Sequence, residues 1–137
     1  MFVDTSVIVA LIAGEPDAPR YTDLLARAER RLTSGLVVLE AAMRLSTLLR
    51  LDPVRAEALI HMLLDEAGIT VVPIDGETAT AAVVAFASYG KGRGHPAQLN
   101  LADCMSYACA RTHGVPLLFK GDDFSKTDIE AAGTRRA

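Results

Sequence analysis

Residues 2–12 read FVDTSVIVALI, an apolar run interrupted by one carboxylate and two small hydroxyl residues. Phe2 and Val3 suit a short buried strand over residues 1–4, and Thr5 or Ser6 can open a helix running to about Ala13. A strand that hands directly to a helix is the building unit of an α/β fold. Asp4 stands at the junction, where an unpaired buried charge would cost several kcal/mol or take up a proton. It needs a partner, either the first turn of the helix it can cap or a group brought from elsewhere in the chain.

The remaining elements repeat the pattern. Glu15-Pro16-Asp17 breaks the first helix, and a second is expected from about Ala18 to Arg30. Arg31 to Thr33 reads as a brief extended piece, and Ser34-Gly35 starts a third helix reaching about Leu51, with Leu36, Leu39, Met43 and Thr47 at three-to-four spacing. Asp52-Pro53 reads as an N-cap followed by Pro at the first helical position, opening a fourth helix to about Glu66 that Gly68 ends. Ile69 to Ile74 (ITVVPI) is a strand in which Pro73 marks the end or an edge. A helix over Glu77 to Tyr89 leads into GKGRGHPAQ (Gly90 to Gln98), expected to be an exposed, mobile loop. Asn100 to Thr112 is apolar almost all round and belongs in the interior, and Val115 to Phe119 is a last buried strand before KGDDFSKTD and a polar tail. Strands separated by helices imply a mostly parallel sheet covered on both faces.

At 137 residues the chain is expected to form a single domain, 1–137, with a core of Ala, Val and Leu. A net charge of −3 does not describe a general polyanion binder, so any nucleic-acid contact must be local. No apolar run approaches the ~20 residues a membrane helix requires, and the N-terminus lacks the basic start and cleavage site of a signal peptide, so a cytoplasmic location without membrane contact is expected. Cys104 and Cys109, five positions apart on one helix, point in different directions and read as core fillers.

Four further acids share the oddity of Asp4. Glu40 lies on the same helical face as Leu36 and Met43, where it either joins a site or pairs with Arg44 at i+4. Asp103 sits among Leu101, Ala102, Cys104 and Met105, and either joins a site or forms a capping-box-like pair with Asn100. Asp122 and Asp123 follow the last strand directly, as site residues or as solvated turn residues. Carboxylates gathered at one end of a parallel sheet repel one another, and a divalent cation is the usual remedy. Oxygen-only ligands favour Mg²⁺ or Mn²⁺ over zinc. His61, His95 and His113 are scattered, and the chain has no G-x-S-x-G, P-loop or G-x-G-x-x-G signature, which removes zinc hydrolases, serine hydrolases, P-loop enzymes and dinucleotide-binding enzymes.

The order D-T-S at the first strand, a lone Glu at position 40, N-x-x-D opening a late helix and KGDDFSKTD after the last strand resembles the PIN-domain ribonucleases, and more narrowly the VapC toxins of toxin–antitoxin pairs. The resemblance runs from Asp4 to Asp128. It implies a three-layer α/β/α sandwich with an acidic metal site that cuts RNA using Mg²⁺ or Mn²⁺. Carried over by position, Asp4, Glu40 and Asp103 match the family's central acids and its metal ligands, Asp123 or its neighbour Asp122 the fourth acid, and Ser6 and Asn100 polar positions lining such sites. A toxin of this kind would be restrained by a cognate antitoxin and would commonly form a homodimer. Lys91 and Arg93 precede Asn100 and Asp103 in the chain, so their loop is expected to overhang the site and hold RNA phosphates.

Two rival readings stay open. A phosphatase of haloacid-dehalogenase type would also place an Asp after the first strand but needs D-x-D, and the second position here is Ser6. A catalytically inactive module that kept the fold would have no reason to hold its acids against their repulsion.

Overall fold

The computed structural model describes residues 1–134. In chain order it contains β1 (Phe2–Val3), α1 (Thr5–Ala13), α2 (Ala18–Arg27), β2 (Leu32–Ser34), α3 (Gly35–Leu48), α4 (Pro53–Ala67), β3 (Thr70–Val72), α5 (Gly76–Tyr89), α6 (Leu101–Thr112) and β4 (Leu117–Leu118). The four strands form one sheet in the order β3-β2-β1-β4, parallel at every pairing. The expected three-layer α/β/α sandwich is what the chain adopts.

β1 is central, and Phe2 and Val3 are fully buried between β2 and β4. Thr33 on β2 donates its hydroxyl to the Val3 carbonyl at 2.9 Å, satisfying a buried polar group within the sheet. Helix α6 lies against β1, β2 and β4 with α5 packed on it, while α1 packs on α2, α3 and α4. Cys104 and Cys109 are buried free thiols in the core, and burial pushes the Cys109 thiol up to about 11, which keeps it protonated and inert.

Several boundaries differ from the sequence expectation for local reasons. Helix α2 stops at Arg27 because Ala28 is extended, and α3 stops at Leu48, two residues before Arg50 turns to φ 52°. β3 keeps only Thr70–Val72 because it is the edge strand and Pro73 cannot extend the ladder. The 90–98 loop is exposed at its tip but closed at its base: Lys91 N–H donates to Leu99 O and Leu99 N–H to Tyr89 O, both at 2.9 Å, and Ala97 and Leu99 are buried.

The segment after β4 is also more than a polar tail. Leu117 N–H donates to Glu130 O at 2.9 Å and Ala132 N–H to Leu117 O at 2.8 Å, so residues 130–132 cover the outer edge of β4. Tyr107 on α6 fastens this segment by donating its hydroxyl to Asp128 at 2.5 Å, and Arg111 lies 3.9 Å from the same carboxylate. Edge coverage of this kind removes a row of unpaired backbone groups from solvent.

Candidate active site

A parallel sheet delivers the C-terminal ends of its strands to one edge, and the chain leaves that edge three times near the centre of the sheet. Asp4 follows β1, Ser34 caps the helix that carries Glu40 after β2, and Lys120 comes two residues after β4. The first turn of α6 brings Asp103 to the same place. The result is a cleft of about 260 Å³ whose walls carry Asp4, Glu40, Asp103 and Asp123, with Ser6 and Asn100 beside them.

Asp4 is both a helix cap and a cleft residue. Its Oδ2 accepts from Ser6 N–H at 3.1 Å and from Ser6 Oγ at 2.7 Å, and the backbone N–H of Asp4 donates to Leu118 O at 3.0 Å. Ser6 Oγ in turn accepts from Lys120 N–H at 2.9 Å, which ties the ends of β1 and β4 together around the carboxylate. One oxygen of Asp4 is thus held, while Oδ1 makes no hydrogen bond among the described residues.

Asp103 is likewise both things at once. It forms a capping box with Asn100, in which Asp103 N–H donates to Asn100 Oδ1 at 2.8 Å and Asn100 N–H to Asp103 Oδ2 at 3.1 Å. Yet its carboxyl is pushed up to about 7, first by burial and then by the charges of Asp123, Asp4 and Glu40, against the pull of the Asn100 N–H. Capping and convergence are compatible, because each uses a different oxygen.

The fourth acid on the cleft is Asp123. Asp122 and Asp123 are both exposed, but Asp123 lines the cleft and raises the Asp103 carboxyl, whereas Asp122 does not line it. Buried Phe124, stacked at 5.1 Å on Phe119, anchors the loop and holds its neighbour Asp123 on the cleft. The alternative pairing of Glu40 with Arg44 is not made among the described residues, although both line the cleft.

Lys91 and Arg93 are not brought to the cleft. Their loop is pinned to the end of α5, and the Arg93 guanidinium lies 5.9 Å over the Phe86 ring instead. In exchange the cleft contains Glu15, Arg44, Lys120 and Phe124, none of which the sequence reading placed there. Lys120 spans the mouth, its ammonium paired with Glu15 and with Asp17 at 3.1 Å. The signals for two of them were present: Arg44 is one turn past Glu40, and Lys120 directly follows a strand end.

The donor chemistry of the cleft can be tested against a metal ion. Among the described residues no His or Cys lines it, the acceptors include four aspartate and glutamate side chains besides Glu15, and the Asp103 carboxyl is raised first by burial and then by neighbouring acids whose charge a cation would offset. That set suits a hard divalent cation such as Mg²⁺ or Mn²⁺. The expected trio of Asp4, Glu40 and Asp103 is not preformed: among the described residues no group of three or more His, Cys, Asp or Glu is arranged to hold a metal ion. Mg²⁺ needs only one or two direct carboxylates, with water completing its shell.

Comparison with known proteins gives a consistent answer. The PIN domain family model matches residues 1–130. Ribonuclease VapC28 of Mycobacterium tuberculosis is 43% identical over 136 residues, spanning 99% of this chain and 100% of that protein. Ribonuclease VapC42 of the same species is 44% identical over 136 residues, spanning 98% and 100%. The crystal structure of Mycobacterium tuberculosis VapC20, described as a sarcin-ricin loop cleaving toxin, is similar at a TM-score of 0.71 and 21% identity over 93% of this chain and 95% of that one. A toxin-antitoxin complex from Klebsiella pneumoniae is similar at a TM-score of 0.69 and 19% identity over 93% and 92%.

Proposed function

The chain belongs to the PIN-domain family, and from that premise we propose that it is the endoribonuclease toxin of a toxin–antitoxin pair, hydrolysing RNA phosphodiesters at Asp4, Glu40, Asp103 and Asp123 with Mg²⁺ or Mn²⁺. The observation that carries this reading is the convergence of Asp4, Glu40, Asp103 and Asp123, from four separate chain segments, on one cleft, where burial and the other three acids raise the Asp103 carboxyl. Such frustration is costly in a purely structural cleft and useful in one that receives a cation.

Asp4 and Asp103, each of which keeps a carboxylate oxygen without a hydrogen bond among the described residues, would hold the ion, with Glu40 as a further ligand. When bound, a divalent ion neutralises the acids, polarises a phosphoryl oxygen and lowers the pKa of water. The side chains supply the rest. Among the described residues Ser6 is the sole hydroxyl on the cleft and is committed, donating to Asp4 and accepting from Lys120 N–H, which favours water over a side chain as the nucleophile. Glu40 and Asp123, whose carboxylates make no hydrogen bond among the described residues, can accept from that water and orient it.

The antitoxin partner is supported by the toxin-antitoxin complex among the structural relatives. Homodimer formation, a cytoplasmic location and the use of residues 1–137 as one nuclease domain complete the proposal; among the described residues no helix is long and apolar enough to cross a membrane. The family match supports neither the phosphatase nor the inactive-module alternative.

The test is cleavage of total cellular RNA by purified protein with EDTA, then with millimolar Mg²⁺ or Mn²⁺, beside Asp4→Asn. Metal-dependent cleavage that the variant lacks is expected. Cleavage that persists in EDTA, or equally in Asp4→Asn, would refute the acidic metal site.

A further inference from the structure

Under the ribonuclease reading, a polyanion must approach a cleft that carries five carboxylates, from Asp4, Glu15, Glu40, Asp103 and Asp123. The carboxylates repel a phosphate backbone that enters the cleft. Some cation on the protein has to offset this for the phosphates that flank the scissile one. The loop with Lys91 and Arg93 does not line the cleft.

Two cations do, and they differ in availability. Lys120 is engaged by Glu15 and Asp17, an arrangement that neutralises it and pins the turn between α1 and α2. Arg44 is exposed, makes no ion pair or hydrogen bond among the described residues, and stands one helical turn from Glu40. It also lines the neighbouring groove formed by Val9, Glu15, Met43, Thr47 and Leu48, and since Glu15 and Arg44 line both, Arg44 stands where the acidic cleft meets the surface of α3. A planar fork of donors with no internal partner is suited to grip a phosphate by two hydrogen bonds.

We propose that Arg44 is the substrate-binding cation of this cleft, holding an RNA backbone phosphate beside the scissile one and setting the side from which the strand enters. The role is positional: it fixes register on the backbone and carries no base recognition.

The test is salt-dependent binding of a fluorescently labelled, mixed-sequence single-stranded RNA and of total transfer RNA, in an Asp103→Asn background so that nothing is cleaved. Arg44→Gln is expected to weaken binding several-fold and to make the slope of log K against log salt shallower by about one. Arg44→Lys, which keeps the charge, is expected to restore the slope while recovering affinity only in part. An unchanged slope in Arg44→Gln, or the same loss of slope from Lys91→Ala instead, would overturn the assignment. Its failure is separable from that of the ribonuclease reading: there the parent protein would bind neither RNA and the wild type would cleave none, whereas here the parent binds and Arg44 makes no difference.

Discussion

Asn100 and Asp103 exchange hydrogen bonds, each backbone N–H donating to the other's side chain, and the acid that starts α6 is thereby also the most crowded carboxyl of the cleft. Its effect on stability has a definite sign. The folded state holds a proton at Asp103 up to about pH 7, whereas an unfolded Asp releases it near 4. The folded chain therefore binds more protons in that window, so metal-free stability is full below about pH 4 and declines as pH rises through about 7. In EDTA, urea unfolding of the wild type should show this decline. Asp103→Asn keeps an oxygen for the Asn100 N–H but cannot ionise, so it should flatten the profile and gain on the order of a few kcal/mol at pH 8. An equal slope in both proteins would show that the Asp103 carboxyl is not raised in the folded state.

Ser6 joins two strand ends through one oxygen, which suggests a second test. Ser6→Ala removes the donor at 2.7 Å that orients Asp4 and the acceptor that receives Lys120 N–H at 2.9 Å. The stability cost should be modest, about 1 kcal/mol. The cost to metal binding should be larger, a tenfold to hundredfold rise in the Mg²⁺ concentration needed for thermal stabilisation, because an oriented ligand loses its support. A change in melting temperature without a change in Mg²⁺ response would make Ser6 only a structural residue.

The Tyr107–Asp128 contact gives a third. The Tyr107 hydroxyl donates to Asp128 and holds its carboxyl below the usual range, while burial and that same bond raise the phenol. A depressed Asp pKa contributes stability above the unfolded value near 4 that is lost as pH falls through the folded one. Tyr107→Phe should cost about 1 kcal/mol at pH 7, with the difference from wild type shrinking in acid. Hydrogen exchange should report the loss at Leu117 and Ala132, whose N–H groups hold the tail to β4. Unchanged exchange at both would show that the tail is held by its backbone alone.

Gly90 is a position where only glycine fits. A Cβ there would lie 2.2 Å from Phe86 Cδ2 and 2.5 Å from the Phe86 carbonyl oxygen. Gly90→Ala should destabilise by about 1–3 kcal/mol. Adding Phe86→Ala should not rescue it, because the clash with the backbone oxygen remains. Full rescue in the double variant would mean that the ring alone sets the constraint.

These residues also show what could be read from the sequence and what could not. Asp4, Glu40 and Asp103 were legible because a carboxylate among apolar neighbours violates burial chemistry wherever the chain goes next. The parallel sheet was legible because every strand is separated from the next by a helix. Glu15 was not, since it looks like an ordinary surface charge until the fold brings the α1–α2 turn against the end of β4. The 90–98 loop misled for a related reason: its composition signals exposure, while its direction depends on the Gly90–Leu99 bridge, a contact that no local pattern announces.

Asp122 and Asp123 are adjacent and chemically identical, so only direction separates them. Phe124, with 3% of its surface exposed, is driven into the core beside Phe119, and its neighbour Asp123 faces the cleft, where it raises the Asp103 carboxyl. Asp122 is exposed and supplies its backbone oxygen to Ser125, whose N–H and hydroxyl donate at 3.2 Å and 2.7 Å. Its carboxylate is not needed for that turn. Asp123→Asn should therefore lower RNA cleavage by about two orders of magnitude and also lower the Asp103 pKa, since one repelling charge is gone. Asp122→Asn should leave both within about twofold, a surface substitution away from any special contact. Cleavage rates and the pH dependence of metal-free unfolding for the two variants, side by side, decide it. If Asp122→Asn were the damaging change, the loop would have to turn over on binding RNA, and the anchor to break first would be Phe124.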